Sequence, residues 1–159
     1  MPPRAPSDSS GSAAETPNPA VAEARGPWVE VAAGLVFREG RLLVTQRSAG
    51  THLAGLWEFP GGKREPGETW EACLRRELLE ELGVEVEVGE LFDEVRHSYP
   101  TKSVYLRFYR CVLRSGEPRP VGCAAVAWTD RTGLRGFAFP EADERLLHRL
   151  GEGSSVWAP

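Results

Sequence analysis

Apolar and polar positions change period several times between Trp28 and Gly151, and each change marks an element. Trp28 to Phe37 (WVEVAAGLVF) is dense in β-branched and aromatic residues and predicts a strand. Glu39-Gly40 predicts a turn, and RLLVTQR after it predicts the second strand of a hairpin. From Ser48 to Gly62 (SAGTHLAGLWEFPGG) the periodicity disappears, which predicts a loop closed by Pro60-Gly61-Gly62. A helix is expected over 69–82. Thr69 suits the N-cap, Glu71 favours the first turn, and Gly83 is a natural stop. VEVEVGELFDEV alternates and predicts a strand with a bend; SVYLRFYRCVL predicts another and AAVAWT a short one. PEADERLLHRLG predicts a closing helix, with Pro140 near its start and Gly151 after its end. Strands outnumber helices, and sheet separates the two helices. The order predicts an α/β fold with a mixed β-sheet sandwiched between α-helices.

Composition sets the limits of this folded part. Residues 1–26 are Pro, Ala, Ser and Glu without an aromatic residue. Such a segment buries too little apolar surface to offset its ordering entropy, so it is expected to be a disordered tail. Its lack of a basic start and apolar centre argues against a secretory signal. The domain is expected over 27–152, with a short C-terminal tail over 153–159. No apolar run approaches the roughly 18 residues of a membrane span. The net charge of −4 argues against a surface that coats a nucleic-acid polymer. Three unpaired cysteines, Cys73, Cys111 and Cys123, fit reduced thiols and a cytoplasmic location better than a disulfide framework.

The predicted first helix carries an unusual charge pattern. With Glu77 at zero on a helical wheel, Glu80 falls near 300° and Glu81 near 40°, at about 100° per residue. Leu74, Leu78 and Leu82 form the adjoining apolar stripe, so Glu81 lies close to the burial boundary. A solvated face laced with ion pairs is one reading of such a run. The other is a cation site. Three repelling acids beside a core edge are relieved by a hard divalent ion, and Mg²⁺ takes a few carboxylates together with substrate phosphates. The glycine-rich loop before the helix brings backbone close to the same ion.

Gly62, Glu68, Arg76-Glu77, Leu78, Glu80-Glu81 and Gly83-Val84 stand in the spacing G-x5-E-x7-R-E-U-x-E-E-x-G-U, with U aliphatic. This resembles the Nudix box at every specified position. GLWEFPGGKREPGE and FPEAD resemble the MutT-like branch of that family, and the likeness runs from about Val29 to Leu150. The resemblance implies a Nudix fold and hydrolysis of a nucleoside triphosphate to the monophosphate and pyrophosphate, with Mg²⁺ or Mn²⁺. It implies Glu77, Glu80 and Glu81 as catalytic and metal-binding, with Glu77 taking the proton of the attacking water, and the Gly61 carbonyl as a further ligand. Arg76 and Glu68 are implied as supports of these acids. Arg47, His52, Glu58, Phe59, Pro60, Gly61, Lys102 and Asp143 are implied as substrate-binding. The implied partner is the nucleotide alone, with the chain a monomer or homodimer.

Two positions depart from the branch. A late-strand Glu common in MutT-like proteins falls here at Gly122, so that either the box carboxylates suffice, or activity is reduced, or another residue such as Glu117 substitutes. Asp143 stands where the oxidised-guanine enzyme has Asn. Ionised Asp only accepts hydrogen bonds, whereas the amide both donates and accepts. A carboxylate pairs with an exocyclic amine such as cytosine N4. Three functions are therefore expected in order: clearance of 8-oxo-dGTP or a related damaged nucleotide, the same chemistry on CTP or modified dCTP, and a Nudix module that binds a nucleotide without cleaving it.

Overall fold

The computed structural model describes residues 28–152 and 155–157. The tail expected over residues 1–26 lies outside the described residues. Strand β1, Val29–Arg38, is the organising element. Its alternate residues feed two cores. Ala32 and Val36 join one buried cluster, and Ala33 and Leu35 join another on the opposite face of the sheet. This is the period-two pattern of a strand covered on both faces.

Strand β2, Arg41–Gln46, pairs antiparallel with the end of β1 through the expected hairpin. Helix α1, Trp70–Leu82, follows two short strands, β3 at Trp57–Glu58 and β4 at Gly61–Lys63. Those two strands correct the expectation of a loop there. Composition hid them, because Gly and Pro are poor strand residues and the pairing is imposed by neighbours: Glu58 opposite Thr45, and Gly61 opposite Ala33. Strands β5, Glu85–Tyr99, and β6, Lys102–Ser115, form a long antiparallel pair. The expected bend in β5 is a pair of register shifts flanking Leu91. Strand β6 runs parallel to β1, which a hairpin cannot make, so the chain crosses over through α1. Strand β7, Ala125–Thr129, pairs with β2. Among the described residues the sheet has seven strands.

The helices cover its two faces. Thr69 caps α1 by accepting a hydrogen bond from the Ala72 amide, and Gly83 ends it in the left-handed region at φ 72°. Leu74, Leu78 and Leu82 are completely buried against the sheet, as the wheel predicts. Helix α2, Glu144–Glu152, buries Leu146 and Leu150 in the opposite core. It opens later than expected, because Glu141–Asp143 forms a tighter 3-10 turn, and it continues through Gly151. The C-terminal boundary also moves. Ser155–Trp157 makes a 3-10 turn that buries Val156 and Trp157 in the second core, so these residues belong to the domain and not to a tail. The physical reason is the apolar surface of Val156 and Trp157, which α2 alone leaves uncovered.

Candidate active site

A cavity of about 570 Å³ opens between α1, the Gly61–Lys63 strand, the end of the β5–β6 pair and the turn before α2. It gathers side chains distant in sequence. Glu77 and Glu81 enter from α1. Arg47, His52, Glu58 and Phe59 come from β2 and the segment after it. Tyr99 and Lys102, opposite each other at the end of the β5–β6 pair, and Asp143 complete the wall.

The helix acids divide. Glu77 is packed against Gly62: a Cβ added there would stand 2.2 Å from its carboxyl carbon. A close approach of this kind admits glycine alone. Gly61 is required in the same way, since its Cβ would meet the Ala32 carbonyl oxygen at 1.9 Å. Burial raises the Glu77 carboxyl above its ordinary value, against the hydrogen bond from Arg76. Glu81 accepts no side-chain hydrogen bond among the described residues. Burial, then the charges of Glu77 and Glu58, push it up to about 7. Glu80 does not line the cavity; it is exposed and pairs with Arg76 at 3.3 Å. The shared arc of the wheel thus brings two of the three acids together.

Arg76 holds this edge in place. Its Nε donates to Glu68 at 2.6 Å, one terminal nitrogen to Glu77 at 3.0 Å and the other to the Lys63 carbonyl at 3.1 Å. Its hydrogen bonds hold the Glu68 carboxyl down at about 2. Glu68 also accepts from the Glu65 amide, which fixes the loop before α1.

Arg47 organises the opposite wall. Its Nε donates to the His52 carbonyl at 2.5 Å and a terminal nitrogen to Glu58 at 2.8 Å, so part of its fork is used before any ligand arrives. Burial raises Glu58 in spite of this partner. The His52 ring has a buried Nε2 without a hydrogen-bond partner among the described residues. Burial first, then Lys102 and Arg47, lower its pKa, and the residue lines the cavity. Lys102 is lowered by burial and by Arg47. Phe59 stacks on Phe139 at 5.0 Å, and Pro60 behind it accepts the Gly34 amide through its carbonyl. Asp143 is 4% exposed, and burial followed by the Glu58 charge pushes it up to about 7.

Glu117 does not fill the late-strand vacancy. It forms a two-pronged pair with Arg38 at 2.9 and 3.1 Å, outside the cavity. Gly122 instead lets its loop lie flat on α1, with the amides of Val121 and Gly122 on the Glu81 carbonyl. Among the acids that share the cavity with Glu77 and Glu81, Glu58 is one whose charge reaches Glu81. Tyr99 is a wall residue that the sequence does not signal. Nothing in its spacing marks it, because its place at a strand end matters only once that end meets the turn before α2.

The model of the NUDIX domain matches residues 32–149. The chain belongs to the Nudix family. A CTP pyrophosphohydrolase of Escherichia coli is 53% identical over 119 residues, covering 75% of this chain and 88% of that protein. An 8-oxo-dGTP diphosphatase of Haemophilus influenzae is 39% identical over 123 residues, covering 77% and 90%. Among solved structures, the MutT Nudix hydrolase from Burkholderia pseudomallei superposes with a TM-score of 0.70 at 28% identity, covering 77% of this chain and 98% of that one. The mixed sheet between two helices is the Nudix fold, and the chain is an enzyme of the hydrolase class. Among the described residues no helix is long and apolar enough to cross a membrane.

The donor set fits a hard cation in chemistry: two carboxylates, Glu77 and Glu81, and the Gly61 backbone share one cavity, and Glu81 forms no salt bridge among the described residues, with Arg47 the one cation whose charge reaches it there. As they stand, no three His, Cys, Asp or Glu side chains among the described residues are gathered closely enough to chelate one. Completing the set therefore takes side-chain rotation or substrate oxygens, and Mg²⁺ sites are commonly completed by substrate phosphates.

Proposed function

We propose that this Nudix hydrolase splits a nucleoside triphosphate into the monophosphate and pyrophosphate, and that its preferred base is cytosine, in CTP or a modified dCTP. The observation that carries the reading is the cavity itself. It sets two half-buried helix carboxylates at one side and a buried Asp143 at the other. The first side suits a charged phosphate chain with its cation, and the second suits a base edge.

Glu77, Glu81 and the Gly61 carbonyl would hold Mg²⁺ or Mn²⁺. The ion would neutralise phosphate charge and acidify a bound water. Arg76 holds Glu77 in position, and Glu77 accepts the proton of the attacking water. Glu80 joins only by leaving Arg76. Lys102 and the free part of the Arg47 fork meet phosphate charge, and Phe59 and Pro60 border the nucleoside.

Asp143 reads the base. Its pKa of about 7 populates both protonation states at neutral pH. Cytosine suits either state. The carboxylate accepts from N4, and the acid also donates to N3. On its Hoogsteen edge oxidised guanine presents an O6 acceptor beside an N7–H donor, and that edge is met in full only by the protonated state. The 53% identity to a CTP pyrophosphohydrolase supports the same choice. Cleavage of 8-oxo-dGTP is the second reading, favoured by the 39% identical diphosphatase.

Pyrophosphate release across a nucleotide panel tests this. Turnover is expected with Mg²⁺ or Mn²⁺, greatest for cytidine nucleotides, and abolished by excess chelator. Full activity in chelator overturns the metal role, and a preference for 8-oxo-dGTP at neutral pH overturns the base assignment.

A further inference from the structure

Tyr99 is a cavity residue to which the box and its flanking motifs give no role. It ends β5, at the rim of the cavity, and touches three things there. Its Oη accepts a hydrogen bond from the Ala142 amide at 3.2 Å. Its ring meets His52 edge-on, with centroids 5.2 Å apart and planes at 78°. Its other side meets His97 edge-on at 4.6 Å.

The first contact matters because of what Ala142 precedes. Ala142 is 6% exposed, and the Glu141–Asp143 turn around it carries Asp143 into the cavity. A buried amide left without an acceptor is costly, so the phenol oxygen favours one placement of this turn over others. The second contact fixes the His52 ring, which lines the same cavity. One side chain therefore sets the position of two groups that meet the nucleotide from different segments, 52 and 143 in sequence. Phenylalanine would keep the ring contacts and lose only the hydroxyl.

We infer that Tyr99 is a positioning residue for base recognition, holding Asp143 through the Ala142 amide and His52 through its ring. The specificity part of this inference rests on the nucleotide reading above. The positioning part does not.

Two measurements on the full chain separate them. Amide exchange at Ala142 is expected to be protected in the wild type and to accelerate about tenfold or more in Tyr99→Phe. An unprotected wild-type amide, or an unchanged rate in the variant, overturns the positioning role without any reference to activity. If Tyr99→Phe fails to fold, the wild-type rate alone decides. In kinetics, Tyr99→Phe is expected to lower the ratio of kcat/KM for CTP over UTP about tenfold, with most of the loss in KM for CTP, since UTP lacks the amine that Asp143 accepts from. A ratio within about twofold of wild type, with exchange accelerated, overturns the specificity role. If the wild type cleaves neither nucleotide, the nucleotide reading falls and the specificity role with it, while the exchange result still decides the positioning role.

Discussion

Glu81 and Asp143 show how burial of single side chains prepares a site. Both are acids pushed up to about 7, from ordinary values of 4.5 and 3.8, with burial the first cause in each. Between those ordinary values and 7 the folded chain holds protons that the unfolded chain has released. Stability contributed by these protons is present at the acid end and is lost as pH rises through about 7. The metal-free protein is therefore expected to melt at a lower temperature at pH 7.5 than at pH 5.5, and Glu81→Gln is expected to flatten that slope. A thermal melt series over pH checks both. The same substitution is expected to lower kcat by roughly 10²-fold, the usual loss for an acid–base or ligand group, while leaving the chain folded. For Asp143 the readout is selectivity. Acidification toward pH 6 is expected to raise kcat/KM for 8-oxo-dGTP relative to CTP, because it fills the donor-bearing state. Asp143→Asn is expected to make that ratio independent of this ionisation and to move it about tenfold toward 8-oxo-dGTP. A pH-rate series on the two substrates measures it.

At the scale of elements, the meeting of β4 and α1 is the mechanical centre of the site. Gly62 lies so close to Glu77 that a methyl group would overlap its carboxylate at 2.2 Å. Gly62→Ala must push the strand from the helix or turn Glu77 out of the cavity. The expected outcome is a loss of roughly tenfold or more in kcat/KM and about 1–3 kcal/mol of stability, read by steady-state kinetics and denaturant unfolding. Helix α1 is legible residue by residue in the sequence. Its cap, its left-handed stop and its leucine stripe are local properties, and each stands where the pattern puts it. The two strands beside it are not legible. Trp57–Glu58 and Gly61–Lys63 owe their pairing to β2 and β1, partners set by the fold and not by their own composition. The wheel likewise places three acids on one arc, yet Glu80 does not line the cavity and pairs with Arg76, its i,i+4 neighbour. Tyr99 matters through its contacts with His52 and the Ala142 amide, which no spacing along the chain records.

For the whole molecule, the decisive feature is that the site straddles two cores. Glu77 and Glu81 ride on α1 over one face of the sheet, while Asp143 leads into α2 over the other. The second core is closed by the last described turn. Trp157 packs edge-on against Phe37 at 5.2 Å, and its indole N–H donates to the Leu150 carbonyl at 2.8 Å, near the end of α2. Trp157→Ala removes a large buried side chain and frees that carbonyl. A loss of about 3–5 kcal/mol follows from such a cavity, and a fall in melting temperature reports it. The acids on α1 make no contact with Trp157, so kcat well below the melting transition is expected to stay within about threefold of the parent. KM is expected to rise, because α2 is anchored less firmly at its far end and Asp143 sits at its near end. A fall in kcat with no change in stability would mean that Trp157 acts on the chemistry directly, which its place on the opposite face of the sheet from α1 argues against.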